Sequence, residues 1–366
     1  MFVKATRAEI NSKAFISNLN IFRQKIGSKK LCLAVKANAY GHGLLPIAIL
    51  AQNNKVDMLA VARVDEGIIL RRGGITIPIL VLSPFIKQEL KFIFEYKLTP
   101  MLTHLDYLED IKNFSLQYKY PLSIHIKINT GMNRVGFSTV AIKQQLEPLL
   151  NNSSISITGI GSHFAYADEK TELAIQKTKE QIEMFKIAID EISDFLDNDV
   201  IIHMANTAAT INHTESHYNM VRIGIGAYGY SLAQDLGLIP ILNFKSKVVY
   251  SQKITKGESV SYNGTWVASK DTNIALLPIG YGDGYPRSLS NKACVKVGTQ
   301  YFPVIGNICM DMMIIDTGED LIPIETDVLI MGNDALLNAE QLATQIGSIS
   351  YEILTSINER VPRIYI

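Results

Sequence analysis

The chain has 366 residues with 35 basic and 35 acidic side chains, so charge balance gives no case for nucleic acid or an anionic membrane as its main partner, and a small substrate is expected. Hydrophobic residues make up 47% of it, enough for one large α/β domain and a smaller second one. Cys32, Cys294 and Cys309 form no CxxC pair and sit in apolar runs, which fits buried free thiols in a reducing compartment better than disulfides or a metal site.

The amino terminus, MFVKATRAEI, lacks the apolar core of a secretion signal, and no later run approaches a membrane span, so a cytoplasmic protein is expected. Asn11 is a plausible helix cap, followed by Phe15, Leu19, Phe22 and Ile26 on one stripe that stops at Gly27. From Leu31 onward short apolar runs alternate with amphipathic stretches. Strands are expected near 31–35, 58–62, 77–82, 98–102, 122–128, 156–162, 200–204 and 220–223, with helical patterns between them at Lys87 to Tyr96, Leu105 to Tyr118 and Thr171 to Ile192. Eight β-then-α units argue for a closed (β/α)8 barrel over 1–237. A doubly wound open sheet is the runner-up, but the first loop carries GHG and no G-x-G-x-x-G. Near Gly237 to Pro240 the rhythm changes to short strands with turn signals, so 238–366 reads as a mostly β domain with one helix, near Asn338 to Ile346.

Lys36 follows the buried run Leu31 to Val35 and so stands at the carboxyl end of the first barrel strand, where such folds keep their chemistry. Desolvation there lowers a lysine's pKa and supplies the neutral amine that attacks carbonyls, although a lysine merely snorkelling from the rim fits this stretch equally well. A P-loop is excluded because Lys36 precedes its glycines. Lys127, Arg134, His163, Asn206, Thr207 and Arg222 also fall at strand ends and are expected to converge on one mouth. Each alone has a structural explanation, as a surface charge, a satisfied core histidine or a helix cap; the ring they form favours function. The segments around Asn206-Thr207 and Gly224-Ile225-Gly226 resemble phosphate loops of late barrel strands. A phosphate site beside a Schiff-base lysine suggests pyridoxal phosphate.

Read together, AVKANAYGHG at Ala34 to Gly43, KINTGMNRVG at Lys127 to Gly136, SHFAYADE at Ser162 to Glu169, HMANTAA at His203 to Ala209 and VRIGIGAYG at Val221 to Gly229 form an ordered series. VSYNGT at Val260 to Thr265, PIGYGDGYPR at Pro278 to Arg287 and NICMDMM at Asn307 to Met313 continue it. The chain resembles the alanine racemases, fold-type III pyridoxal phosphate enzymes, nearly end to end.

The resemblance implies that Lys36 holds the cofactor as a Schiff base and serves as the acid/base group for the D-isomer, with Tyr262 as the second base on the opposite face. Racemisation needs both, because one group removes the Cα proton and the other returns a proton from the far side. By the same resemblance His163 lies beside Tyr262, Arg222 bonds the pyridine nitrogen, and Asp311 supports the site. Tyr40, Thr207, Gly224, Ile225 and Tyr351 match phosphate-binding positions, Arg134 and the Met310 backbone match substrate carboxylate contacts, and Lys127 matches a position carbamylated in some relatives. A homodimer with shared active sites, acting on alanine to supply peptidoglycan, is implied. Thr207 replaces a frequent serine, Asn307 a frequent arginine in the substrate corridor, and Glu359 a frequent tyrosine before RVPR, so selectivity could extend to serine. A decarboxylase of the same fold type would place an acid at the pyridine nitrogen, against Arg222, and a non-catalytic pyridoxal phosphate carrier would need neither the β domain nor Tyr262.

Overall fold

The computed structural model describes residues 4–150, 152–231 and 236–366; the first three residues of the amino-terminal segment read above lie outside it. The parallel strands Lys30–Ala34, Met58–Val61, Ile79–Val81, Thr99–Leu102, Leu122–Asn129, Ile155–Gly161, Ile201–His203 and Met220–Ile223 pair in chain order. The last returns to the first, with Val221 opposite Leu31 and Arg222 opposite Cys32, so the sheet closes into the expected eight-stranded barrel. Closure buries each strand on both faces. Leu31, Cys32, Leu33 and Val35 have no exposed surface, and each large aliphatic side chain so placed is worth about 1.5–3 kcal/mol.

The helices follow their local signals. Ser12–Ile26 begins where the Asn11 side chain accepts the Ala14 N–H and stops at Gly27, with Phe15, Leu19, Phe22 and Ile26 buried. Thr171 caps Glu172–Ile192 and Asn338 caps Ala339–Gln345 in the same manner. The pattern expected at 87–96 splits into a short 3-10 turn, Lys87–Glu89, and the helix Leu90–Glu95.

The second sheet is mostly antiparallel and has nine strands. Its members include Leu242–Lys247, Thr272–Leu277, Met313–Gly318 and Arg363–Tyr365, together with Arg7–Ile10 from the start of the chain. Arg7–Ile10 pairs antiparallel with Leu242–Lys247 and parallel with Arg363–Tyr365, so the first strand belongs to the sheet built from the last third of the sequence. Two expectations need correction. A second helix, Ser350–Thr355, joins the one foreseen; six residues carry too little periodicity to stand out. Only Cys32 is buried, whereas Cys294 and Cys309 are partly exposed, and Cys309 lies in a loop; all three are free thiols.

Candidate active site

The carboxyl ends of the barrel strands surround a cavity of about 410 Å³ lined by Lys36, Tyr40, Lys127, Arg134, His163, Asn206, Thr207, Arg222, Gly224, Ile225 and Tyr351, among others. Residues spread over most of the sequence meet there because parallel strands in one closed sheet all end on the same side.

Lys36 leaves its strand into an unusual turn. Ala37, Asn38, Ala39 and Tyr40 have φ of 51°, 55°, 53° and 54°, a full turn of left-handed helix made without glycine. For L-residues that conformation costs about 1–2 kcal/mol each, so the surroundings must impose it. The Glu66 carboxylate is part of the restraint, accepting the Ala37 N–H at 2.6 Å and the Ala62 N–H at 2.8 Å. Beyond the turn, the Asn38 side chain accepts the Leu44 N–H at 2.8 Å, and the Tyr40 ring packs 4.8 Å from that of Tyr228. Burial, then the charge of Arg134, holds the Lys36 amine below its ordinary pKa.

Arg222 is buried, and burial brings its pKa down to about 10. Its Nη1 donates to His203 Nδ1 at 2.5 Å; its Nη2 donates to the Ser162 carbonyl at 2.8 Å and to His163 Nδ1 at 3.0 Å. A guanidinium can only donate, so both imidazoles accept at Nδ1 and carry their proton on Nε2. His203 Nε2 then donates to His125 Nδ1 at 2.8 Å, and the His125 Nε2 proton ends the chain without a partner inside the barrel. Burial, reinforced by Arg222, keeps all three histidines neutral, with His125 pushed down to about 3. Gly161 makes room for this arrangement, because a Cβ there would lie 2.2 Å from the His203 ring.

Lys127 is 7% exposed, and desolvation, then the charges of Arg222 and Arg134, drives its pKa well below the ordinary value. On the opposite side, the Thr207 hydroxyl accepts the Gly224 N–H at 2.9 Å, and Asn206 caps the short helix Thr207–Asn212. A Cβ on Gly224 would come within 2.5 Å of the Tyr40 hydroxyl, so the missing side chain opens that corner to backbone and hydroxyl donors. Burial raises the pKa of Tyr40, and that of Tyr351 to about 12, so both phenols stay protonated donors.

Charge in the mouth is one-sided. Lys36, Lys127, Arg134 and Arg222 line it against the exposed carboxylate of Asp168, while Glu66 is engaged with backbone N–H groups. A phosphate at the Thr207 and Gly224 corner and an aldehyde within reach of an amine of lowered pKa fit this donor set, so the residues suit pyridoxal phosphate.

Tyr262, Met310 and Asp311 do not line this cavity. They lie in the second domain, Tyr262 in the turn that joins the two-stranded sheet of Ser259–Val260 and Trp266–Val267, with Tyr262 69% exposed and Met310 54% exposed. Asp311 accepts from Arg360 at 2.8 Å, and the same guanidinium reaches Asp283 at 2.7 Å, tying two loops together. Glu66, Ser162, His125 and His203 complete the site but were not singled out from the sequence. Glu66 shows only a helix-start position, and nothing local links it to Lys36.

Family models for "Alanine racemase, N-terminal domain" and "Alanine racemase, C-terminal domain" match residues 10–232 and 241–365. The alanine racemase of Treponema denticola is 36% identical over 100% of this chain and 99% of its own length. Among solved structures, the alanine racemase of Clostridium difficile 630 superposes with a TM-score of 0.93 at 32% identity, covering 100% of this chain and 97% of that one. The alanine racemase of a D-cycloserine-producing Streptomyces lavendulae superposes at 0.94 with 29% identity, covering 100% and 98%.

Proposed function

The chain belongs to the alanine racemase family, and from that premise we propose that it interconverts L- and D-alanine with pyridoxal 5'-phosphate, as a cytoplasmic homodimer whose sites are each built from two chains. The D-alanine would supply peptidoglycan. The observation that carries this reading is the desolvated Lys36 amine in one cavity with Arg222, a buried cation whose side-chain partners are neutral.

When bound, pyridoxal phosphate supplies an electron-withdrawing ring that makes the Cα proton of an amino acid removable. Lys36 would hold it at Nζ and move the Cα proton on one face. Tyr262, from the partner's second domain, would serve the other face; its exposure in the single chain and its absence from the lining of its own chain's cavity fit that assignment. By the family resemblance the Nε2 proton of His163, fixed by Arg222 at Nδ1, would stabilise negative charge on the Tyr262 oxygen. By the same resemblance Arg222, held by its bonds to His203, Ser162 and His163, would donate toward the ring nitrogen, and a donor that keeps its proton would leave that nitrogen unprotonated. Thr207, Gly224, Ile225, Tyr40 and Tyr351 would hold the phosphate, and Arg134 with the Met310 backbone the substrate carboxylate. Asp311, through Arg360, would steady the Met310 loop. Lys127, its pKa held well below the ordinary value, is the amine suited to react with carbon dioxide, giving a carbamate that would pair with Arg134. The domain division falls near 237–238 on this reading, with Arg7–Ile10 returning to the second sheet.

A chiral assay over a panel of pure amino acids, with and without cofactor, tests the activity. Either pure alanine enantiomer should become an equal mixture, whereas loss of carbon dioxide would indicate a decarboxylase and no turnover a carrier. Borohydride reduction followed by peptide mapping should place the pyridoxyl group on Lys36; label on another lysine would refute the assignment.

A further inference from the structure

Tyr262 is 69% exposed, so packing within its own chain does little to orient its ring, and the direction of the phenol depends on the backbone that carries it. That backbone is strained on both sides. Ser261 has φ 63° and ψ −173°, a region that favours glycine, and Asn263 follows with φ 61°. A turn of this kind persists only if its neighbours hold it.

They do so through a reciprocal clasp. The Ser261 hydroxyl donates to the Asn307 carbonyl at 2.5 Å, and the Asn307 side-chain amide donates to the Tyr262 carbonyl at 2.8 Å. Each side chain thus grips the other's loop. The second loop is itself anchored, since the Gly306 N–H donates to the Asn291 side chain at 2.7 Å and the Ile308 N–H to the Ser290 hydroxyl at 2.9 Å. Asn291 closes the circuit by donating to the Thr265 hydroxyl at 3.2 Å, just beyond the tyrosine turn.

We infer that Asn307 and Ser261 are positioning residues for Tyr262: the clasp stores the strained turn and aims the phenol at the opposite chain's barrel mouth. The inference rests on the two-base reading above. It follows that weakening the clasp impairs proton transfer on the tyrosine face and leaves the Lys36 face untouched.

The test compares the cofactor-loaded wild type with Asn307→Asp, a near-isosteric change that turns the donor into an acceptor facing the Tyr262 carbonyl, and with Ser261→Gly, which removes the hydroxyl while relieving the positive φ and so should fold without penalty. Cα deuterium uptake from heavy water is followed separately on L- and D-alanine. Uptake on L-alanine, assigned to Tyr262, should fall about tenfold in both variants, with uptake on D-alanine within about twofold of wild type. On the cofactor-free chain, amide hydrogen exchange over 259–267 should accelerate about tenfold while the rest keeps its protection. Equal loss on both enantiomers, or no loss, overturns the inference. Tyr262→Phe separates the two levels: if it fails to suppress uptake on L-alanine selectively, the two-base reading falls and the clasp with it. If it does so while the clasp variants do not, only the clasp falls.

Discussion

Lys127 is a largely buried lysine under the field of Arg222 and Arg134, and its titration is therefore linked to folding. Its folded pKa lies well below the 10.5 of the unfolded chain, so between those values the unfolded state binds more protons and stability rises with pH. Lys127→Met deletes that contribution. In carbonate-free buffer the variant should be more stable than wild type at neutral pH, and the gap should close by up to about 1.4 kcal/mol per pH unit on approach to 10.5. Urea unfolding across pH measures this, and a gap that does not change with pH would contradict the burial argument. Added bicarbonate should narrow the neutral-pH gap if the amine forms a carbamate that Arg134 stabilises.

The left-handed turn Ala37 to Tyr40 is the element on which the placement of Lys36 depends. Ala37 is exposed and makes its restraint through a backbone N–H to Glu66, so its methyl contributes little packing while its φ of 51° carries a steric cost. Ala37→Gly should raise stability by about 1 kcal/mol, yet lower turnover, because glycine frees the residue that orients the amine. Thermal unfolding and the chiral assay report the two effects, and a variant that gains neither stability nor mobility would show that the turn is not strained. Glu66→Gln tests the restraint from the other side. The two N–H groups bond different oxygens of Glu66, and an amide keeps only one acceptor, so one bond is lost and turnover should fall several-fold with the cavity otherwise intact.

At the scale of the molecule, Tyr262, proposed as the second base, does not line the barrel mouth of its own chain. Meanwhile Tyr262, Tyr281, Met310, Met312 and Ile349 leave apolar surface exposed on the second domain, the signature of a covered face. The isologous dimer proposed above would satisfy both needs by capping each mouth with the other chain's loops and excluding water. Lys36→Ala and Tyr262→Ala chains should each be nearly inactive, but a mixed dimer concentrates both defects in one site and leaves the other whole. With equal amounts and random exchange, about a quarter of wild-type activity should return. Chains that demonstrably exchange without recovering activity would place Lys36 and Tyr262 in a single chain's site.

The sequence by itself determined the eight barrel strands, the caps at Asn11 and Asn206, and the arrival of Lys36, Arg222 and Thr207 at one mouth. These depend on apolar periodicity and on hydrogen bonds closed within a turn, which a short window of residues encodes. Only the tertiary structure decided that Lys127 is buried, that Arg222 sets the tautomers of His163 and His203, that Glu66 holds the turn after Lys36, and that Arg7–Ile10 joins the second sheet. His125 and His203 are 78 residues apart, and Asn307 lies 45 beyond Tyr262, so barrel closure and loop packing, rather than neighbouring residues, bring those partners within hydrogen-bond reach.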